Sequence, residues 1–264
     1  MSDTAAPKGE RIAKVIARSG YCSRREAEAL IQQGRVELDG ETVVAPGTTV
    51  TPERRVTIDG EKLPPVEAAR LFRFHKPVHV LTAARDPEGR RVFGELLPPE
   101  LPRLMPVGRL DMTSEGLLLL TNDGGLKRHL ELPATGWLRR YRVRVYGQVE
   151  QAVLATLEKG LVLDGERFGP IRATLDRVQG HNAWMTVSLR EGKNREVRRV
   201  CQHLGLTVNR LIRISYGPFQ LGALRPGEVE EVPGKVLREQ LGRFLPAAAG
   251  QGKPKENSRA NRRR

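Results

Sequence analysis

The sequence predicts an α+β protein in which a small N-terminal module precedes a larger domain built around a mostly antiparallel mixed sheet. Its 264 residues are enough for one small and one large folding unit, each with its own apolar core. Beyond residue 71, β-type runs outnumber helical stretches, and their spacing lacks the regular strand-helix alternation of parallel sheets. We therefore expect the module at 10–60, a proline-bearing linker at 61–70, the large domain at 71–245 and a disordered basic tail at 246–264.

The charge balance indicates a polyanionic partner. Lysine and arginine number 45 against 31 aspartates and glutamates, a formal net charge of +14 that exceeds what solubility requires. Nucleic acid or an acidic membrane surface would both fit. No apolar run reaches the roughly 18 residues of a membrane span, and the N-terminus lacks a signal-peptide core, so we expect a cytoplasmic protein. Cys22 and Cys201 lie far apart and predict neither a metal site nor a disulfide.

Two short helices followed by hairpins are predicted for the N-terminal module. Apolar residues recur at helical spacing from Ile12 to Ile16, and Gly20 ends that helix. Ser23 with Glu26 three residues later forms the capping-box pattern at the start of the second helix. Two aspartate-glycine turns predict the hairpins that follow, at Asp39-Gly40 and Asp59-Gly60.

The large domain divides into predicted strands and the helices between them. The predicted strands are Leu71–Phe74, Val78–Thr82, Leu117–Thr121, Tyr141–Tyr146, Ile171–Leu175, Trp184–Leu189 and Leu211–Tyr216. The predicted helices are Leu126–Glu131, Gln151–Lys159 and Asn194–Leu204.

A lone carboxylate precedes one of these strands. Asp111 lies in a loop between Gly108 and Gly116, and the apolar run that follows predicts a strand buried on both faces. From the residues alone, two interpretations stay open. Asp111 is either a turn aspartate that caps its own backbone or a functional acid at the mouth of a core strand.

The segment from Arg139 to Gly147 alternates strictly between two kinds of side chain. Tyr141, Val143 and Val145 share one face of the predicted strand, whereas arginines and Tyr146 occupy the other. Tyr141 therefore begins the buried face. The pattern is consistent with a core tyrosine or with an aromatic contact at the end of a strand.

The predicted helix at 194–204 carries arginines around an apolar stripe. By the 3.6-residue period, Arg198 lies at the edge of that stripe, whereas Arg195 and Arg199 point nearly opposite it. An edge arginine can reach a partly buried carboxylate, and we expect the other two to face a polyanion. The alternative is three solvated arginines on a surface helix.

Two segments resemble a known family. Gly108-Arg-Leu-Asp111 and the later Gly-Leu-Leu-Leu-Leu-Thr-Asn-Asp-Gly run are similar to the signature of the RsuA-type pseudouridine synthases, with Ser114 where threonine is usual. The segment from Gly20 to Gly40 resembles the alpha-L RNA-binding module of ribosomal protein S-four. The resemblance covers about residues 10–235 in family order. It implies the pseudouridine synthase fold and an enzyme that isomerises uridine in ribosomal RNA without a cofactor.

The resemblance also implies roles for particular residues. Asp111 would be the catalytic aspartate, Tyr141 would stack on the flipped base and Arg198 would pair with Asp111. Arg109 would contact the substrate, and Leu211 or Ile212 would pack beside the target base. RNA contacts are implied for a set of mostly basic residues: Arg11, Lys14, Arg18, Ser23, Arg24, Arg25, Arg85, Arg90, Lys193, Arg195 and Arg199.

Within the family, three segments are similar to the large-subunit ribosomal RNA pseudouridine synthase B group. They are Asp-Pro-Glu-Gly-Arg at 86–90, Gly-Lys-Asn-Arg-Glu-Val-Arg-Arg at 192–199 and Arg-Leu-Ile-Arg-Ile-Ser-Tyr-Gly at 210–217. The resemblance therefore implies large-subunit ribosomal RNA or a subunit precursor as the partner of a monomer.

Three alternatives stay open. A small-subunit enzyme of the same family would share the chemistry, and a ribosome-assembly factor would retain the fold without catalysis. A glycoside hydrolase would need a second carboxylate beside Asp111, and Glu115 and Asp123 are the candidates nearby in sequence.

Overall fold

The computed structural model describes residues 9–245, in which a small N-terminal domain precedes a larger α+β domain. This confirms the predicted fold class. The basic tail predicted at 246–264 lies outside the described residues. No helix in the part of the chain that is described is long and apolar enough to cross a membrane.

The N-terminal domain contains two helices and six short strands. In chain order these are β1 (Glu10–Arg11), α1 (Ile12–Arg18), α2 (Arg24–Gln32), β2 (Val36–Leu38), β3 (Glu41–Thr42), β4 (Thr49–Val50), β5 (Val56–Ile58) and β6 (Glu61–Lys62). Four of the strands form an antiparallel sheet in the order β3-β2-β5-β6, and β1 pairs with β4. Apolar side chains from both helices and from the sheet form one core, which contains Ile12, Ile16, Ala27, Ile31, Val36 and Ile58.

The start of α2 confirms the predicted capping box. The Ser23 hydroxyl accepts a hydrogen bond from the Glu26 backbone N–H at 3.2 Å, and the Glu26 carboxylate accepts one from the Ser23 N–H at 2.8 Å. These two bonds satisfy backbone donors that the first turn of a helix leaves free. They fix the start of the helix that carries Arg24 and Arg25.

The irregular connection between the domains begins later than the predicted linker. Asp59 and Gly60 adopt left-handed φ angles of 52° and 80°, which turn the chain back on itself. Glu61 and Lys62 therefore pair with β5 as strand β6, and the connection runs from residue 63 to residue 70.

The larger domain contains eleven further strands and four further helices among its described residues. In chain order these are β7 (Leu71–Lys76), β8 (Met105–Val107), β9 (Glu115–Thr121), α3 (Gly124–Glu131), β10 (Arg139–Tyr146), α4 (Gln151–Thr156), β11 (Leu161–Leu163), β12 (Glu166–Phe168), β13 (Arg172–Gln179), β14 (Asn182–Leu189), α5 (Glu196–His203), β15 (Thr207–Tyr216), β16 (Phe219–Gln220), β17 (Val229–Glu231) and α6 (Gly234–Leu241).

One mixed sheet organises this domain. Its strand order is β13-β14-β10-β15-β9-β7-β17, with β16 beside β15 and β8 beside β9. The pair β9 and β15 is parallel and the other pairs are antiparallel, as predicted for a mostly antiparallel mixed sheet. The hairpin of β11 and β12 stands apart from this sheet.

The parallel pair is short and depends on a glycine. It joins Ile212 to Glu115 and Arg213 to Gly116. Gly116 has a φ angle of 103°, and a Cβ atom there would lie 2.4 Å from the Arg213 carbonyl oxygen. Only glycine therefore allows β9 and β15 to approach each other this closely.

The sheet is covered on both faces at one end and on one face at the other. Every residue of β9 is buried, because its alternate leucines enter two cores on opposite faces, which confirms the predicted doubly buried strand. Helices α3 and α6 contribute to one of these cores, and α4 and α5 to the other. In β10, by contrast, buried and exposed residues alternate, as its sequence predicts.

The prediction of a strand at Val78–Thr82 is wrong. His79 has a φ of 60°, which breaks the extended backbone just after Lys76 and Pro77. Only Leu81 forms a β-bridge, an isolated one with Val92. The hairpin of β11 and β12, the edge strand β17 and helix α6 had no counterpart among the predicted elements.

Candidate active site

A cleft of about 1070 Å³ lies where the loop between β8 and β9 meets β10, β15 and the segment that precedes α5. Asp111, Tyr141, Arg195 and Leu211 line it. Arg25 of α2 lines it as well, so both domains border the same cleft. The structure thus brings together four residues that the sequence placed on separate segments.

Asp111 forms an ion pair with Arg195. An Nη1 to Oδ2 distance of 3.5 Å separates the two side chains, and the Asp111 side chain is 35% exposed. Arg195 has left-handed φ and ψ angles of 49° and 31° and directly precedes α5. The helical-wheel prediction treated Arg195 as part of the helix and pointed it away from the apolar stripe. The left-handed backbone instead turns its side chain toward Asp111.

Arg198 does not form the predicted pair with Asp111. Its Nη2 donates to the Thr113 carbonyl at 2.9 Å, and its Nη1 donates to the Val208 carbonyl at 3.2 Å. Burial, and then repulsion from Arg195, lower the pKa of Arg198, whereas the charge of Asp111 raises it. The pKa of Arg198 therefore depends on the charge of Asp111, but its hydrogen bonds connect α5 to the backbone of the Asp111 loop and to β15.

A buried lysine forms hydrogen bonds with the backbone of the loop that carries Asp111. Lys76, the last residue of β7, is fully buried. Its ammonium group donates to the carbonyl oxygens of Pro77 at 2.9 Å, Asp111 at 3.0 Å and Ser114 at 2.9 Å. Burial lowers the pKa of Lys76 to about 8, although the charges of Asp111 and Glu115 oppose that shift. The lysine fixes both ends of the turn that presents the aspartate.

Sequence reasoning missed Lys76. The predicted strand ended at Phe74, two residues before it. The available signal was a lysine at the end of an apolar run, immediately before Pro77. A lysine at such a position is either exposed to solvent or buried with hydrogen-bond acceptors inside the protein. The sequence does not show which of the two applies, because this depends on whether the side chain is buried.

Tyr141 and Leu211 face the cleft. Tyr141 is buried, with 9% of its surface exposed, and begins the inward face of β10 as predicted. Leu211 is also buried and lines the cleft. Ile212 does not, because it pairs with the outward-facing Arg142 on the other side of the sheet. Of the two residues proposed to pack beside the base, the structure therefore favours Leu211. Arg109 is exposed at the rim of the cleft.

Two buried arginines and a tyrosine form the floor of the cleft. Arg139 Nη2 donates to the Tyr216 hydroxyl at 2.9 Å, and that hydroxyl donates to the Leu130 carbonyl at 2.7 Å. Arg213 Nε donates to the Leu117 carbonyl at 2.7 Å. Both guanidinium groups lie over the Tyr216 ring, at 4.7 and 5.3 Å from its centroid. This positively charged floor was not predicted from the sequence.

A pair of glutamates shapes the segment that presents Arg195. Glu196 is buried and accepts a hydrogen bond from the Lys193 N–H at 2.9 Å. Glu191 accepts one from the Gly169 N–H at 2.7 Å. Burial, followed by a hydrogen bond to Glu191, raises the pKa of Glu196 to about 8. This shift favours the protonated form of Glu196 at neutral pH.

The basic residues predicted on α1 and α2 fall into two groups. Arg11, Arg24 and Arg25 are exposed and have no carboxylate partner among the described residues. Lys14 and Arg18 both pair with Glu10, at 2.5 and 2.8 Å. The Ser23 hydroxyl, predicted to contact RNA, accepts the capping bond of α2 instead.

The basic residues predicted in the large domain also have internal partners. Arg85 pairs with Glu26 of the N-terminal domain at 2.8 Å, and Arg90 pairs with Asp86 in its own loop. Lys193 lines the cleft and pairs with Glu191 at 3.2 Å.

Arg199 does not point freely outward as predicted. It pairs with Asp164 and Glu166, and its guanidinium lies 4.8 Å from the centroid of the Phe168 ring. The unpredicted β11–β12 hairpin supplies these partners. Arg199 therefore attaches α5 to that hairpin.

Comparison with known families assigns the fold and the cleft to a class. Residues 70–203 match the family described as RNA pseudouridylate synthase, and residues 10–56 match the S4 domain. The first match covers half of the chain, so this chain belongs to the RNA pseudouridine synthases and carries an RNA-binding S4 domain at its N-terminus. The enzyme class and both domain types expected from the sequence motifs are confirmed.

Individual relatives are more specific. An uncharacterised RNA pseudouridine synthase of Rickettsia prowazekii is 43% identical over 232 residues, which cover 88% of this chain and 97% of the relative. Ribosomal large subunit pseudouridine synthase B of Escherichia coli O157:H7 is 40% identical over 240 residues, which cover 87% of this chain and 83% of that protein. A crystal structure described as a pseudouridylate synthase superposes with a TM-score of 0.61 at 26% identity, covering 86% of this chain and 98% of the other.

Proposed function

We propose that this enzyme converts a specific uridine of large-subunit ribosomal RNA to pseudouridine, with Asp111 as the catalytic carboxylate and without a cofactor. The ion pair of Asp111 with Arg195, inside a cleft that also contains Tyr141, is the observation on which this proposal depends. The similarity to large subunit pseudouridine synthase B supports the choice of substrate.

The isomerisation of uridine can take place at a site that consists of a carboxylate beside a positive charge. Isomerisation breaks the bond between the sugar C1′ and uracil N1, rotates the base, and joins C1′ to uracil C5 while C5 loses its proton. The atoms of the nucleotide are conserved, and no electrons or groups pass to another molecule. One carboxylate next to the sugar, stabilised by a nearby positive charge, provides the polar group that this rearrangement uses.

The target uridine must leave its base stack to reach Asp111. Tyr141 offers an aromatic surface at the cleft, and stacking on such a ring contributes about 1–3 kcal/mol per base. Leu211 provides an apolar contact beside it. The arginine floor below gives the cleft a positive potential, which favours the entry of a phosphate-bearing strand.

The N-terminal domain would bind RNA next to this cleft. Arg11, directly before α1, and Arg24 and Arg25 of α2 are exposed cations, and Arg25 reaches the cleft itself. Arg85 and Arg90 belong to a loop that meets this domain through the Arg85–Glu26 pair. A single chain contains all these elements, so we propose that a monomer acts on the RNA.

The two acids that could supply the second carboxylate of a glycoside hydrolase both have other hydrogen-bond partners. Glu115 accepts from Arg210 Nε at 2.5 Å. Asp123 caps α3 by accepting from the Leu126 N–H at 2.6 Å. Neither lines the cleft, which argues against the two-carboxylate alternative.

Replacement of the catalytic carboxylate tests the proposal. We expect Asp111→Asn to abolish tritium release from ribosomal RNA labelled at uracil C5, while RNA affinity changes by less than a few-fold, since the fold and the cationic surfaces persist. Asp164→Asn is a matched control, because its side chain is 89% exposed on the β11–β12 hairpin. Turnover by Asp111→Asn at the level of that control would refute the catalytic role. RNA binding by a wild-type enzyme that releases no tritium would instead favour an assembly factor.

The substrate is tested separately in cells. Pseudouridines would be mapped across ribosomal RNA from a strain without this enzyme, complemented with the wild type or with Asp111→Asn. We expect one large-subunit position to lose its modification and only the wild type to restore it. Loss confined to the small subunit would contradict the proposed substrate.

A further inference from the structure

One half of the main sheet is covered on a single face. Along β10, the odd-numbered side chains enter the core, whereas the even-numbered ones point away from it and are exposed. The neighbouring strands β13 and β14 continue this uncovered surface. We call it the open sheet face and define it by seven outward residues: Arg140, Arg142, Arg144, Tyr146, Arg172, Arg177 and Trp184.

The strand register brings these residues together. Arg144 of β10 lies opposite Trp184 of β14, and Trp184 lies opposite Arg177 of β13. Two outward rows further along, Ser188 lies between Arg140 and Arg172. Alternate residues of a strand are about 7 Å apart and adjacent strands about 4.8 Å apart, so the arginines form a compact grid.

The arginines of the grid outnumber the acids beside them and form no ion pairs among the described residues. None of its five arginines has an ion-pair partner within the described residues. Asp176 of β13 is one acid on this face, and its carboxylate accepts a hydrogen bond from Thr186 rather than pairing with an arginine, whereas Glu115 is already paired with Arg210. At the opposite edge of the same sheet, Arg70 and Arg73 pair with Glu231 and Glu230. Arginines at the β7–β17 edge of the sheet are therefore paired with glutamates, whereas those at the β13–β10 edge have no such partners among the described residues.

Aromatic groups lie among these cations. The Arg142 guanidinium lies 4.8 Å from the centroid of the Trp184 ring. Tyr146 is 53% exposed, and its ring is 5.9 Å from that of His181. Unpaired bases stack on aromatic rings and on guanidinium planes, and phosphates bind arginine, so the face combines two elements that single-stranded RNA recognises.

We propose that the open sheet face binds the backbone of an RNA segment outside the cleft, with the Arg142–Trp184 pair as a stacking platform for an unpaired base. Tyr141 and Arg140 are consecutive in β10 but point to opposite faces, so the segment bound here is distinct from the one that enters the cleft. This binding role goes beyond the proposed catalytic function. It gives the enzyme a second point of attachment on a large RNA.

Two other occupants fit less well. The residues at 246–264 contain six lysines and arginines and one glutamate, so that segment would be repelled by the arginine grid. An anionic membrane would match the charge, but the face carries no cluster of exposed leucine or phenylalanine side chains for insertion into lipid.

The test measures binding rather than turnover. The affinity for a transcript of large-subunit ribosomal RNA would be measured across a range of salt concentrations, for the wild type and for Arg140→Gln/Arg142→Gln/Arg144→Gln. We expect the triple variant to bind about 10- to 100-fold more weakly near 0.15 M salt, with a salt slope smaller by about 2, because up to three phosphate contacts are lost. Its thermal unfolding should match the wild type, since these side chains are exposed.

A matched control removes three exposed cations elsewhere, Arg225→Gln/Lys235→Gln/Arg238→Gln. We expect this control to keep the wild-type salt slope. Equal slopes for the two triple variants would overturn the proposal, because the effect would then reflect net charge alone. Loss of binding to phosphatidylglycerol vesicles without any loss of RNA binding would overturn it in favour of a membrane partner.

Ultraviolet cross-linking to the same transcript gives a second measurement. Peptides that contain Trp184 or Tyr146 should carry cross-linked nucleotides, and cross-links confined to the cleft and the N-terminal domain would contradict the proposal. The RNA concentration that gives half-maximal tritium release should rise in the triple variant, in line with its weaker binding. If neither the wild type nor the triple variant released tritium, the proposed function would be refuted. The measured difference in RNA affinity between the two proteins would still test the open sheet face.

Discussion

The interior of the cleft and the surface of the N-terminal helices use the same kinds of residue in opposite ways. Lys76, Arg139 and Arg213 are buried and donate hydrogen bonds to backbone carbonyls. Arg11 and Arg24 are exposed and lack acidic partners within the described chain. Buried cations fix backbone geometry, because removing one leaves several oxygens unpaired. Exposed cations contribute a diffuse field that salt screens. Substitutions should therefore have abrupt effects in the cleft and graded effects on the helices.

The largest effect is expected for Lys76→Met. The substitution leaves the buried carbonyls of Pro77, Asp111 and Ser114 without their donor, and we expect a loss of about 3 kcal/mol in the free energy of unfolding. Turnover should fall as well, because the loop of Asp111 loses its support. Urea denaturation and tritium release measure the two effects. Arg24→Met is the surface control, with a change of at most about 0.5 kcal/mol. Similar unfolding midpoints for both variants would contradict the distinction between buried and exposed cations.

The next largest effect separates Arg195 from Arg198. We expect Arg195→Gln to lower kcat by about 100-fold because it removes the charge beside Asp111, with little change in stability. Arg198→Gln should instead cost about 1–2 kcal/mol of stability, because it loses the bond to the Thr113 carbonyl. Lysine at position 195 should restore part of kcat. If Arg198→Gln proved inactive yet fully stable while Arg195→Gln stayed active, the sequence-based pairing of Arg198 with Asp111 would be right.

A smaller effect depends on pH and on Glu196. Its pKa in the folded protein is about 8, whereas in the unfolded chain it returns to the ordinary range near 4.5. Between these values the folded protein holds a proton that the unfolded chain has lost. The free energy of unfolding should therefore fall as pH rises through this window, and this contribution should become constant above it.

Glu196→Gln replaces the protonated acid by a neutral side chain of the same shape. We expect the variant to show a flatter dependence of unfolding on pH from 5 to 9, measured by urea denaturation at each pH. Because Glu196 directly follows Arg195, its deprotonation should also lower turnover at alkaline pH, and we expect this loss to be weaker in Glu196→Gln. Glu158→Gln, in an exposed position after α4, is the control. An unchanged slope in Glu196→Gln would show that Glu196 does not hold the proton.

The smallest effect is expected on the surface of the N-terminal helices. Arg24→Gln/Arg25→Gln should weaken RNA binding by about 3- to 10-fold and reduce the salt slope by between about 1 and 2, since up to two phosphate contacts are lost. Stability should not change. Fluorescence anisotropy with labelled ribosomal RNA at several salt concentrations measures both quantities. A loss of stability as large as that in Lys76→Met would show that these arginines have a structural role.

Local patterns in the sequence predicted local features of the structure. The capping box of α2, the doubly buried β9 and the alternation that places Tyr141 inward each depend on neighbouring residues, and each is confirmed. The choice between Leu211 and Ile212 needed one further fact, the register of β15 against β10.

The features that sequence reasoning missed depend on distant or irregular contacts. Lys76 binds carbonyls 35 and 38 residues away, a relation that no local pattern contains. Arg195 was misplaced because a helical wheel assumes regular backbone, whereas this residue is left-handed. Strand β17 is short, and two of its three residues are exposed, so it shows no apolar alternation to detect.

The approach of β9 to β15 has a genetic consequence. Any side chain at position 116 would collide with the Arg213 backbone and separate the strand that follows Asp111 from the strand that carries Leu211. A screen for conditional mutations should therefore recover substitutions of Gly116, even though this residue supplies no functional group. At high temperature, when the displaced strands no longer hold together, such alleles should show the same phenotype as Asp111→Asn.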